Sequence, residues 1–176
     1  MRSASGSIRC PQNVLISEHR AGALVTPLPT VTRRIHLGVP PDTAFRACLR
    51  LLTDADPTRG VVERRCTPYP PREGSEIVTI VRDRRGERTL RARIVELDPP
   101  RYLTTATEDE GPAVRTGLAV ETAGEGSVVT LRSDATTALG VMVRLTGLLD
   151  SVLLARAQRR AARATLRRLQ ELAGGL

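Results

Sequence analysis

The chain contains no tryptophan and no lysine, and of its 176 residues only Phe45, Tyr69 and Tyr102 are aromatic. The aromatic shortage bears on function first. Proteins that grip single-stranded nucleic acid stack bases on aromatic platforms set among basic residues, and this chain has little from which to build one. Its net charge of +8 is carried by arginine alone. A basic balance by itself raises the prospect of phosphate-rich partners. The total loss of lysine reads instead as codon bias, so no nucleic-acid partner is expected.

Cysteine and histidine are scarce too. Cys10, Cys48 and Cys66 form an odd, widely spaced set without a CxxC pair, which argues against a disulfide framework and a zinc knuckle. They read as small buried hydrophobes plus one tail thiol. His19 and His36 are the only imidazoles and lack metal-ligand spacing, so no metal and no cofactor is implied. No apolar run approaches the roughly 20 residues a bilayer span requires. Met1 to Pro11 carries no apolar h-region, which argues against a secretory signal and makes the cytoplasm the default location.

What is present describes an ordinary globular chain. Hydrophobic residues make up 40% and charged residues 26%, enough for one domain with a sizeable core. Residues 1–28 mix Ser, Gly, Pro and Arg without a sustained period and are expected to be a flexible leader to a domain at 29–176. From Val31 to Leu37 the residues alternate as a half-buried strand does. Pro40 and Pro41 then open a helix that sets Phe45, Cys48, Leu49 and Leu52 on one face, proline being tolerated in a first turn whose N–H groups lack partners.

Six further strands are expected, over Val61–Thr67, Glu76–Arg82, Arg88–Leu97, Tyr102–Glu108, Val114–Thr122 and Ser127–Ala135, with Gly and Pro turns between them. In the last of these Val129 and Leu131 alternate with polar residues, so Ser133 should point inward and Asp134 outward. A proline-free segment from about Leu139 to Ala173 is rich in Ala, Leu, Arg and Gln, all good helix formers. Its apolar stripe is Met142, Leu145, Leu149, Val152 and Leu153. Antiparallel strands joined by short turns need a covered apolar face, and only this helix is long enough to cover it. The expected fold is α+β: a curved seven-stranded antiparallel sheet wrapped around a long C-terminal helix, with an internal cavity between them.

Three local patterns carry a family resemblance. They are IHLGVPPDTAF, RIVELDPPRYL and the Gly-rich hairpin EGSVVTLRSDAT running into the long helix. On these the stretch from Val31 to about Leu172 resembles the SRPBCC superfamily, the START or Bet v 1-like helix-grip proteins, and within it the polyketide cyclase/dehydrase group. The resemblance implies a helix-grip fold, an apolar ligand and, for a cyclase, guided aldol cyclisation and dehydration of a poly-β-ketone. It departs in one respect: relatives line the cavity with Trp and Phe, which this chain can hardly supply.

Such chemistry needs a dry shaped cavity, a group that polarises a carbonyl or holds an enolate, and a proton shuttle. Arg64 is the first candidate if the face it shares with Val62 and Cys66 points inward; if the Val61 face is the inner one, Arg64 is solvated. Tyr69, in the proline-rich loop, could donate to a ligand at the mouth or simply pack against prolines. Ligand-orienting hydroxyls are expected at Thr79, Thr105, Thr116 and Ser133. The aliphatic wall is expected from Leu90, Ala92, Ile94, Leu118, Val129 and Leu131, with Tyr102 near it and Met142, Leu145 and Leu149 as the lid.

Arg156, Arg160, Arg163 and Arg167 recur at helical spacing and form one face. They read either as a solvated back favoured by the helix dipole or as a dock for an acyl carrier protein. Two functions stay open: a cofactor-independent cyclase/dehydrase, and a non-catalytic carrier or sensor of a lipid or other apolar metabolite. Either can act as a monomer or homodimer.

Overall fold

The computed structural model describes residues 24–27, 29–56, 60–84, 86–107, 113–139 and 147–175, and at 24–27, 137–139 and 147–154 it describes the backbone alone. In chain order the elements are β1 (Leu24–Pro27), β2 (Val31–Leu37), α1 (Pro41–Thr53), β3 (Val61–Thr67), β4 (Glu76–Asp83), β5 (Gly86–Asp98), β6 (Tyr102–Thr107), β7 (Ala113–Ala123), β8 (Gly126–Leu139) and α2 (Gly147–Gly174).

One antiparallel sheet runs β1-β8-β7-β6-β5-β4-β3, with β2 also on β8. Strands β2 and β1 lie end to end along the same edge of β8, Val31–Leu37 on Ser127–Ser133 and Leu24–Pro27 on Thr136–Leu139. The sheet is therefore seven strands wide, although eight segments build it.

Two sequence expectations are corrected here. The stretch read as a leader contributes β1, whose four residues pair with β8; a strand this short has no period to detect. The final helix is described from Gly147 onward and does not take in Leu139, which belongs to β8. Thr136 and Thr137 are β-branched and fit a pleated surface, and β1 supplies their backbone partners. That tertiary pairing overrides the helical propensity of the flanking Ala and Leu.

The core sits between the concave sheet face and the two helices. Helix α1 buries Ala44, Phe45, Ala47, Cys48 and Leu51. Its N1 proline and Asp42 suit the unpaired, electropositive first turn. Opposite lie Ile77, Ile94, Leu103, Leu118, Val129 and Leu131, one or two from each of β4 to β8. The C-terminal half of α2 closes the core with Leu166, Leu169 and Leu172. Each such leucine contributes about 1.5–3 kcal/mol on burial. No helix among the described residues is long and apolar enough to cross a membrane.

Candidate functional site

The interior between the sheet and α2 retains two adjoining lobes, of about 320 and about 240 Å³, which share Thr116 and Thr165 as walls. The first exists because α2 presents Ala157, Ala161 and Ala162 toward β7 and β8. A methyl stands there in place of the leucines that fill the space further along the helix. Ala157 and Ala161 are themselves exposed, so this lobe opens at that end. Its opposite wall is Val114, Leu131 and Ala135.

A band of hydroxyls crosses this aliphatic wall. The ladder sets Thr105 opposite Thr116 and Thr116 opposite Ser133, so three adjacent strands present hydroxyls at one height on the inner face. All three line the cavity, with Thr165 and Gln158 reaching in from α2. Gln158 is anchored there: its Nε2 donates to the Ser133 carbonyl oxygen at 2.9 Å and lies 3.1 Å from the Ser133 hydroxyl.

The second lobe is polar at its far end, where Arg50, Arg64 and Arg168 converge with Asp54 and Asp56. A bulge decides the orientation of Arg64. The β3–β4 ladder skips Val62, pairing Val61 with Val81 and Arg64 with Thr79. Val61 and Arg64 therefore both face inward, while Val62 is left outside and exposed. Bulges re-aim side chains in this way. Arg64 Nε donates to the Thr79 hydroxyl at 3.2 Å, and Nη1 donates to the Leu51 carbonyl oxygen at the end of α1. Arg50 pairs with Asp54 at 2.9 Å. Arg168 stands 3.9 Å from the buried Asp56 and 3.0 Å from Glu171. A guanidinium in a partly dry wall acts through a far lower dielectric than one in water.

Of the residues expected to form the site, Arg64, Thr79, Ala92, Thr105, Thr116, Leu118, Leu131 and Ser133 line the lobes. Ile94 and Val129 are on the same face but fully enclosed in the core. Three expectations are corrected. Tyr69 is 78% exposed and lines neither lobe, because the proline-rich loop after β3 carries it outward. Leu90 shares the inner face with Thr79 but is 45% exposed, near the turn of the β4–β5 hairpin. Tyr102 is opposite Ala119, on the convex face. There it lies over Gly117, where an added Cβ would be 3.4 Å from its hydroxyl. Met142 and Leu145 lie outside the described residues, as does the side chain of Leu149.

Sequence reasoning missed Arg50, Asp54, Asp56, Gln158, Thr165 and Arg168. On α2 the cavity-lining residues Gln158, Ala161, Thr165, Arg168 and Leu172 recur at spacings of three and four. A stripe of such mixed polarity leaves little hydrophobic periodicity to find. Both described thiols are held protonated. Burial pushes Cys48 up to about 12, against a smaller opposing backbone hydrogen bond, and burial likewise raises Cys66, partly offset by a hydrogen bond with Ser75. Neither thiol is a nucleophile in the neutral range.

A curved antiparallel sheet gripping one long helix over a lined cavity defines the helix-grip fold. Residues 29–174 match the family described as polyketide cyclase/dehydrase and lipid transport, and the chain belongs to that family. No curated protein matches the sequence. Among solved structures it is similar to an uncharacterized protein from Rhizobium leguminosarum, at 18% identity over 87% of this chain and 99% of the other, with a TM-score of 0.64. It is also similar to the di-domain ARO/CYC StfQ of the steffimycin biosynthetic pathway, at 16% identity and a TM-score of 0.65, covering 86% of this chain but 51% of StfQ. Ara h 8.0201 aligns at 12% identity over 86% of this chain and 99% of its own, with a TM-score of 0.62. At these identities the likeness is one of fold.

Proposed function

We propose that the protein binds an apolar, oxygen-bearing small molecule between the sheet and α2 and promotes its cyclisation or dehydration. The observation that carries this reading is the joining of the aliphatic lobe to one where Arg64, Arg50 and Arg168 converge. A ligand lying along the cavity has its hydrocarbon against Leu131 and the alanines of α2. A carbonyl oxygen at the other end meets Arg64, already oriented by Thr79 and Leu51. A guanidinium fixed before the reaction stabilises a developing enolate without having to reorganise. Asp56, 6% exposed in the same lobe, is the carboxylate placed to move a proton. Aldol closure joins the enolate carbon to a second carbonyl carbon, whose oxygen takes up the proton. Dehydration then removes an α-proton and breaks the C–O bond to release water. No oxidant or reductant is consumed, so the proposed reaction calls on no redox cofactor.

A carrier role is the second reading. It is favoured by the larger lobe, whose lining contains no titratable side chain. For the enzyme, the exposed Arg156, Arg160, Arg163 and Arg167 on α2 are suited to an acidic acyl carrier protein delivering the substrate.

Native mass spectrometry of the full chain as purified tests the common ground. An adduct of an apolar molecule bearing a carbonyl or carboxyl oxygen is expected. A ligand-free protein that also refuses apolar probes would defeat both readings. Incubating the ligand class with protein separates them: the enzyme releases a product lighter by one water or isomeric with the substrate, and the carrier returns the molecule unchanged.

A further inference from the structure

Thr116 on β7 and Thr165 on α2 stand where the two lobes of the cavity meet. Among the described residues no other lines both lobes. One belongs to the sheet wall and the other to the helix wall, so the pair forms a waist between the lobes. Both residues are half-buried and border the space on either side. Both are also β-branched, which stiffens χ1. Neither can fold away for a thick ligand as a longer unbranched side chain could.

The chemistry on the two sides of the waist is unequal. The larger lobe is lined by aliphatic, hydroxyl and amide groups without a titratable side chain. The smaller one holds Arg50, Arg64 and Arg168 at its far end. At about 30 Å³ per heavy atom, the share of one water molecule in the liquid, lobes of about 320 and about 240 Å³ take about ten and about eight heavy atoms. A ligand with more atoms than one lobe holds must pass between the threonines.

We infer that Thr116 and Thr165 set the length and thickness of the ligand. The molecule they select is one elongated acyl-type chain, oxygenated at the arginine end and unbranched where it crosses the waist. This rests on the reading of the cavity as the ligand site and narrows the ligand class within it. A rigid fused polycycle, wide along its whole length, does not fit such a space. A slim chain does, with its head among the arginines and its tail against the alanines of α2.

Calorimetric titration of the full chain with hexanoate, octanoate, decanoate and dodecanoate, each below its micellar range, tests this. Hexanoate matches the smaller lobe alone, and the longer acids must cross the waist. Wild-type affinity should climb about fourfold per added methylene through the series, as burial of each CH₂ provides. Thr165→Leu, which narrows the waist, should bind hexanoate as wild type does and gain nothing from a longer chain. Thr165→Val keeps the branched shape without the hydroxyl and should keep the wild-type profile. Wild-type affinity that levels off at hexanoate overturns the inference while leaving the cavity reading intact, and it does so even if neither variant folds. A Thr165→Leu profile that rises like that of wild type, or a Thr165→Val profile that is flat, overturns it in the same way. Failure of every alkanoate to bind overturns both.

Discussion

Arg64 and Thr79 face each other across the β3–β4 ladder, with the guanidinium Nε 3.2 Å from the hydroxyl, and both point into the cavity. The same guanidinium also holds the Leu51 carbonyl, so one side chain joins the sheet, the end of α1 and the polar lobe. Arg64→Ala leaves a carbonyl without its donor and should cost about 1–3 kcal/mol of stability. Arg64→Lys keeps the charge but not the planar fork. Turnover of the cognate substrate should fall at least tenfold in Arg64→Lys while most of the stability returns. Undiminished turnover in a folded Arg64→Ala protein removes Arg64 from the chemistry.

The larger lobe depends on small residues of α2. Replacing Ala157 by leucine places about three carbons into the 320 Å³ space beside Val114 and Ala135. Binding of an apolar probe should weaken by an order of magnitude or more, because the added carbons take the space the probe would fill. The melting temperature should hold or rise, since filling a void adds dispersion contacts. Titration and thermal unfolding of the same sample check both. A variant with unchanged affinity shows that the ligand does not lie along Ala157.

The strands and their inner face were legible because alternation is a local signal: Ile94, Leu118, Leu131 and Ser133 all face inward as their spacing predicts. Three features were not legible, each for a definable reason. The orientation of Arg64 turns on a bulge, one skipped residue that reverses the period. Alternation could only leave the faces of Val61 and Val62 as alternatives, and the bulge makes Val61 and Arg64 neighbours. Tyr69 was weighed by residue type, but its place is set by where the loop after β3 travels. The polar wall of Asp56 and Arg168 joins residues 112 positions apart, a pairing that exists only once α2 crosses the sheet.

Alkaline pH should report on Cys48. The folded thiol keeps its proton to about pH 12, whereas the exposed thiol of the unfolded chain releases it near 9.0. A raised folded pKa means the stabilising contribution is whole below pH 9 and is lost as pH climbs from about 9 toward 12. Lysine is absent and arginine stays charged, so few other groups blur that window. Urea midpoints at pH 7.5 and about 10.5 should fall more steeply for wild type than for Cys48→Ala. Parallel slopes would show that the Cys48 thiol is not the group responsible.

Two glycines in one hairpin should respond differently. Gly124 has a φ of +60° but open space around it. Gly124→Asn, a residue that tolerates the left-handed region, should cost under about 1 kcal/mol. At Gly126 the obstacle is steric, since a Cβ would lie 2.3 Å from the Leu37 carbonyl oxygen where β2 ends on β8. Gly126→Ala must push that strand end away and should cost about 1–3 kcal/mol. Equal losses in chemical denaturation would show that β2 moves aside freely at Leu37.

The exposed arginines of α2 allow a test of docking that leaves the cavity alone. Arg160 and Arg163 are solvent-facing, whereas the cavity wall is made by Gln158, Ala161, Thr165 and Arg168. Reversing both to glutamate should change stability by less than about 0.5 kcal/mol each, as exposed sites do. Probe binding in the cavity should be unaffected. If an acidic acyl carrier protein docks on this face, the double variant should lose most of the association measured at low ionic strength. The wild-type complex should weaken steeply as salt rises, because exposed charges more than about 10 Å apart are screened near 0.1 M. Equal carrier binding by wild type and the double variant at low salt would place the docking surface elsewhere.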